Sequence, residues 1–126
     1  MQDQSLDLLP LGAALGFVGV AAGTFGAHGL ERFVTSEEAL AWWQTGVQYH
    51  LVHALALVLA SLVLRATGGA RAARVAGLAF AFGVVVFSGS LYALALGAPR
   101  WFGAITPLGG VGFLVGWVAL ARARQV

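Results

Sequence analysis

Four stretches of this chain, residues 8–30, 39–64, 75–99 and 101–121, contain no Asp, Glu, Lys or Arg. The seven basic and five acidic residues all fall at the ends or in the gaps between them. A helix needs about 20 apolar residues to cross a hydrocarbon core of roughly 30 Å. Charge is costly at mid-membrane, so four such runs predict four crossings. The expected fold is all-α: an integral membrane four-helix bundle, a single domain over residues 1–126, with spans at about 8–30, 42–64, 75–98 and 104–121.

With 126 residues, 60% of them hydrophobic, four spans leave no length for a soluble domain. The pI is about 9.9, yet the net charge is only +2 and every basic residue is Arg, scattered over separate gaps and tails. No basic face exists to follow a phosphate backbone, which argues against nucleic acid as a partner. The absence of Cys removes disulfides, thiolate ligands and thiol nucleophiles. The first apolar run is expected to be retained, because the residues before it include Asp3 and Asp7 but no Lys or Arg, whereas a signal peptide opens on basic residues. Arg65, Arg71, Arg74, Arg122 and Arg124 share one side of the expected topology, against Arg32 and Arg100 on the other. That bias puts both termini in the cytoplasm.

Local signals divide the chain. Asp7 reads as an N-cap with Pro10 in the first turn. Thr35 and Glu38 fit a capping box, with Thr35 as N-cap. A helix from there to Leu64 overruns the membrane, so it begins in the interface, with Trp42 and Trp43 at headgroup level. Thr67-Gly68-Gly69 reads as a turn, Pro99-Arg100-Trp101 as a tight connection, and Thr106-Pro107 as the N-cap and first residue of span 4. Gly12, Gly16, Gly19, Gly23 and Gly26 are spaced 4-3-4-3, a seam of small residues that lets another helix approach closely. Gly109, Gly112 and Gly116 repeat that spacing in span 4. The first seam is expected to join copies in a homo-oligomer; its alternative place is inside the bundle, against the glycines of span 4.

The antiparallel topology gathers the intramembrane polar residues into one leaflet, away from the cytoplasm. Thr24 and His28 end span 1; Gln44, Gln48, Tyr49, His50 and His53 begin span 2; Ser88, Ser90 and Tyr92 end span 3; Thr106 opens span 4. Steps of 100° place Gly46, His50, His53, Leu57 and Ser61 on one arc of span 2, with Gln44 and Gln48 opposite. Three readings of the histidines stand open. They could be neutral hydrogen-bonding groups that fix helix register. His28, His50 and His53 could ligate a metal or haem, although no carboxylate or thiol is present in the spans to complete the set. Or His and Tyr could form a proton-handling or small-ligand pocket. A Ser–His–acid hydrolase lacks its acid, since no span supplies one.

Four sequence blocks carry a resemblance. Gly23-Thr24-Phe25-Gly26-Ala27-His28-Gly29-Leu30, Gln48-Tyr49-His50-Leu51-Val52-His53-Ala54-Leu55-Ala56, Phe87-Ser88-Gly89-Ser90-Leu91-Tyr92 and Ile105-Thr106-Pro107-Leu108-Gly109-Gly110 resemble, in order, the signatures of a family of small multi-pass membrane proteins. That family bears a domain-of-unknown-function label and includes bacterial YgdD and vertebrate transmembrane protein 256. Thr24 departs from it, standing where the pattern usually has Ala. The resemblance implies a multi-pass protein of a bacterial plasma or inner membrane and supplies no catalytic residue, activity or cofactor. The leading expectation is therefore a non-enzymatic membrane protein without cofactor, whose polar layer packs helices and offers a place for a small ligand or lipid headgroup. The alternative is a metal- or haem-binding, possibly redox, membrane protein.

Overall fold

The computed structural model describes residues 7–125, so Asp3 lies outside the described residues. Four helices are long and apolar enough to cross a membrane. They comprise α1 (Leu8–His28) and α2 (Glu37–Ala66), then α3 (Arg71–Gly83) continued through a π-helical turn (Val84–Ser88) into α4 (Gly89–Ala95), and finally α5 (Thr106–Ala121), which is preceded by a 3-10 turn (Arg100–Ala104). No strand occurs among the described residues.

The ends follow from capping chemistry, with some corrections. Asp7 caps α1, its Oδ1 accepting from the Leu9 N–H at 3.1 Å. The α2 cap is Ser36 rather than Thr35: its Oγ accepts from the Ala39 N–H at 3.3 Å. The helix starts one residue later than the capping box required, so Glu38 cannot occupy N3. Both Glu37 and Glu38 still lie in the first turn, where the helix dipole favours them. Thr106 is the first residue of α5 rather than its cap, because the 3-10 turn already brings the chain into helical conformation. Arg100 and Trp101 belong to that turn, and the reversal before it is made by Gly97 at φ +104°. The hairpin between α2 and α3 turns through Gly68 and Gly69, both at positive φ, a region L side chains rarely adopt.

The two central crossings are α2 and the α3–α4 helix; α1 packs chiefly on α2 and α5 on α3. Each flanking contact is built on glycine. On α1, a Cβ at Gly12 would meet Val58 Cγ2 at 2.8 Å, one at Gly19 would meet Leu51 Cδ2 at 2.7 Å, and one at Gly26 would meet the Trp43 indole at 2.7 Å. These three recur every seven residues and face α2 residues that also recur about every seven, as two antiparallel helices in register require. Gly23 faces Val47, whereas Gly16 faces open space. The seam expected to receive a second copy, or span 4, is thus filled by α2 of the same chain. The α5 glycines meet α3 and the π turn in the same way. Gly109 abuts the Phe87 backbone, Gly112 abuts Phe82, and Gly116 abuts the Phe80 ring.

One end of the bundle is closed by an apolar cluster of Leu8, Ala56, Leu57, Ala60, Ala76 and Phe80. Outward-facing Phe17, Val20, Leu55, Val85 and Leu114 are each at least 60% exposed, a surface suited to hydrocarbon rather than water.

Candidate functional site

The polar residues sit toward the other end, and the structure divides them into three hydrogen-bonded sets. In the first, His50 projects from α2 between α1 and α4. Its Nε2 lies 2.7 Å from the Leu15 carbonyl oxygen and its Nδ1 lies 2.9 Å from the Tyr92 hydroxyl. A carbonyl only accepts, so Nε2 carries the proton, and Nδ1 accepts from Tyr92. Gly19 makes this possible: one turn beyond Leu15, it has no Cβ, and a Cβ there would lie 3.1 Å from the His50 ring. Trp43 repeats the device one heptad away. Its Nε1–H donates to the Ala22 carbonyl at 2.9 Å, across Gly26. Ser88, in the π turn, donates to the Gly46 carbonyl at 2.7 Å and ties α3–α4 to the other side of α2.

The second set joins α2 to α5. The Trp117 Nε1–H donates to His53 Nε2 at 3.1 Å, which requires a lone pair there. The proton therefore sits on Nδ1, which donates to the Tyr49 carbonyl at 2.8 Å. The His53 ring stacks on Phe113 with centroids 3.6 Å apart, and Tyr49, Phe80 and Phe87 extend the aromatic packing. The third set is small: Ser90 and Thr106 share a hydrogen bond of 2.5 Å between α4 and α5, and the Ser90 hydroxyl also reaches the Phe87 carbonyl at 2.9 Å.

The π turn explains how one segment serves two neighbours. An extra residue in the turn lets Ser88 and Tyr92 face α2 while Ser90 faces α5.

Not every expected site residue joins these sets. Thr24, His28, Gln44 and Gln48 are exposed on the outer surfaces of α1 and α2, and the Tyr49 side chain is 42% exposed. His28 does not overhang His50. No three His, Cys, Asp or Glu among the described residues could hold a metal ion. Both ring nitrogens of His50 and of His53 are already committed within the bundle, so neither offers a lone pair to a metal without breaking an interhelical bond. Residues missed from sequence are Trp43 as a donor, Trp117 as the partner of His53, and the carbonyls of Leu15, Ala22 and Gly46. The one sequence signal for the first two carbonyls is that Trp43 and His50 stand seven residues apart, opposite Gly26 and Gly19.

Beside the third set, an open crevice of about 380 Å³ lies between the start of α2, α4 and the 3-10 turn. Trp42, Phe87, Leu91 and Leu94 supply apolar walls, with Thr106 and Arg100 at its polar side.

Comparison with known proteins places these blocks. The profile of a protein family described as a protein of unknown function (DUF423) matches residues 22–110. The chain is 42% identical over 113 residues to the UPF0382 membrane protein YwdK of Bacillus subtilis, covering 90% of this chain and 91% of that one. It is 38% identical over 117 residues to the UPF0382 inner membrane protein YgdD of Escherichia coli, covering 90% and 85% respectively. No solved structure matches. The matched region runs from the end of α1 to the start of α5 and includes His50, His53, Ser88, Ser90, Tyr92 and Thr106, and the chain belongs to this DUF423 family of membrane proteins of unknown function.

Proposed function

We propose that the protein is a non-enzymatic, multi-pass bundle of the bacterial cell membrane that holds a lipid, and that its polar layer serves to lock the helices around that function. The mostly apolar crevice beside the Ser90–Thr106 pair is the place for the lipid, and one observation carries the packing role: all four ring nitrogens of the buried histidines are engaged in bonds to α1, α2, α4 or α5. Groups held in that way fix geometry; they have no free lone pair or proton for a substrate. A metal or haem site finds no support in this arrangement. The Arg bias supports cytoplasmic termini, with the polar layer in the outer leaflet. Self-association loses the support that the glycine seam gave it, since α2 occupies the seam; the exposed Thr24, His28, Gln44 and Gln48 are the polar groups left for a second copy to cover.

The test uses protein purified in mild detergent. The expected result is protein without stoichiometric metal or a Soret band, retaining about one phospholipid per chain by mass spectrometry, with His50→Ala and His53→Ala both lowering the unfolding midpoint. A visible cofactor band lost in those variants, or wild-type protein that retains no lipid, overturns the reading. Reporter fusions at the C-terminus and between Glu31 and Gln44 should report opposite sides, with the C-terminus cytoplasmic.

A further inference from the structure

We infer that the crevice between α2, α4 and the 3-10 turn is the lipid site, and that it takes an anionic phospholipid with its phosphate on Arg100 and an acyl chain between Phe87, Leu91 and Leu94. This rests on the lipid-holding function proposed above and names where and what is held. The crevice volume, about 380 Å³, falls in the range of ligand pockets. It is open to the outside, and its walls are mostly apolar. A solute arriving from water would have to match those walls, whereas an acyl chain already lies alongside them in the bilayer.

Charge selects the headgroup. Arg100 is exposed at the mouth, and no acidic residue lines the crevice. Glu37 and Glu38 begin α2 at the same end of the bundle, yet the ion pair found among the described residues is Asp7 with Arg65, far along the helices. The guanidinium is therefore available to a phosphate, which it can meet with two parallel N–H donors. Trp42, a residue type that marks the membrane interface, lines the same crevice. Arg100 at headgroup depth and the apolar walls running inward match the two ends of one phospholipid. The Ser90–Thr106 bond joins α4 to α5 beside this site and keeps its walls together.

Two variants separate the headgroup from the chain. Arg100→Gln removes the charge at an exposed position. Gly103→Phe places a ring at the crevice wall; a Cβ at Gly103 would meet only Leu94 Cδ1, at 4.0 Å, so the new side chain starts without a backbone clash. Purified protein is stripped with excess detergent and titrated with dioleoyl phosphatidylglycerol, with binding read by native mass spectrometry and fold by circular dichroism. The expected result is one saturable lipid per wild-type chain, with phosphatidylcholine binding more weakly. Arg100→Gln should weaken phosphatidylglycerol about tenfold, as loss of a charge-assisted contact does. Gly103→Phe should abolish the saturable site, and Arg122→Gln should change nothing. Glycerol 3-phosphate should fail to compete at millimolar concentration; effective competition would assign the site to a free phosphate compound and overturn the lipid assignment. Wild-type binding that persists unchanged in folded Arg100→Gln and Gly103→Phe proteins would overturn the site while leaving lipid retention itself intact.

Discussion

The α1–α2 and α3–α5 interfaces solve the same packing problem and use the solution differently. In both, glycines at seven-residue spacing bring antiparallel helices close enough for one helix's backbone to meet atoms of the other. Between α1 and α2 the space admits hydrogen-bond donors. His50 reaches the Leu15 carbonyl beside Gly19, and Trp43 reaches the Ala22 carbonyl beside Gly26. Between α3 and α5 the same space admits aromatic rings, with Phe80 on Gly116 and Phe82 on Gly112. In lipid there is no hydrophobic force to draw helices together, so close contact and interhelical hydrogen bonds must do it. The comparison teaches that a glycine seam specifies closeness alone. The residue opposite decides whether closeness yields dispersion contact or a polar bond.

Substitutions can break this comparison in graded steps. The largest effect is expected for Gly109→Leu, where the new side chain would fall on the Phe87 backbone, which cannot swing aside. Separation of α5 from α3 should cost about 3 kcal/mol, the upper end for overpacking, measured by unfolding in mixed micelles. Gly19→Leu meets flexible atoms, the Leu51 side chain and the His50 ring, but also shuts off the Leu15 carbonyl. About 2 kcal/mol is expected, with no change in particle size, because the seam lies within one chain. Tyr92→Phe removes one interhelical bond and should cost about 0.6 kcal/mol. Gly16→Leu, in the same seam but facing open space, should change stability by less than about 0.5 kcal/mol. Equal losses at Gly16 and Gly19 would show that glycine acts through helix propensity rather than contact.

The fold was legible because a membrane imposes length and charge rules strong enough to read from twelve charged positions. Four spans, the Gly68–Gly69 turn and the Asp7 cap follow from local chemistry alone. Cap choice between Thr35 and Ser36 did not, since both offer a hydroxyl and one residue of register separates them. The π turn was hidden as well: Val84, Val85 and Val86 are crowded β-branched residues, but whether crowding widens a helix depends on what packs there. For the candidate site, sequence named His50, His53, Ser88, Ser90, Tyr92 and Thr106, which the structure engages in hydrogen bonds between helices. The helical wheel already set Gln44 and Gln48 opposite the histidines, but it could not find that Thr24 and His28 point outward, or that backbone carbonyls complete the sets. A carbonyl is present in every residue, and only the separation of two helices decides which one is reachable.

The surface pair of Asp7 and Arg65 marks the limit of what polar contacts contribute here. Both side chains are more than half exposed, so breaking the pair with Arg65→Gln should cost less than about 0.5 kcal/mol, well below the loss from His50→Ala.

The central claim is that the buried histidines are neutral structural donors and acceptors with opposite tautomers. Nitrogen-15 NMR of histidine-labelled protein in lipid nanodiscs tests it directly, because protonated and unprotonated ring nitrogens resonate in separate regions. The account predicts that His50 carries its proton on Nε2 and His53 on Nδ1, each with one unprotonated partner nitrogen, assigned by His50→Ala and His53→Ala. Two identical tautomers, a doubly protonated ring, or a nitrogen shifted by a bound metal would contradict it.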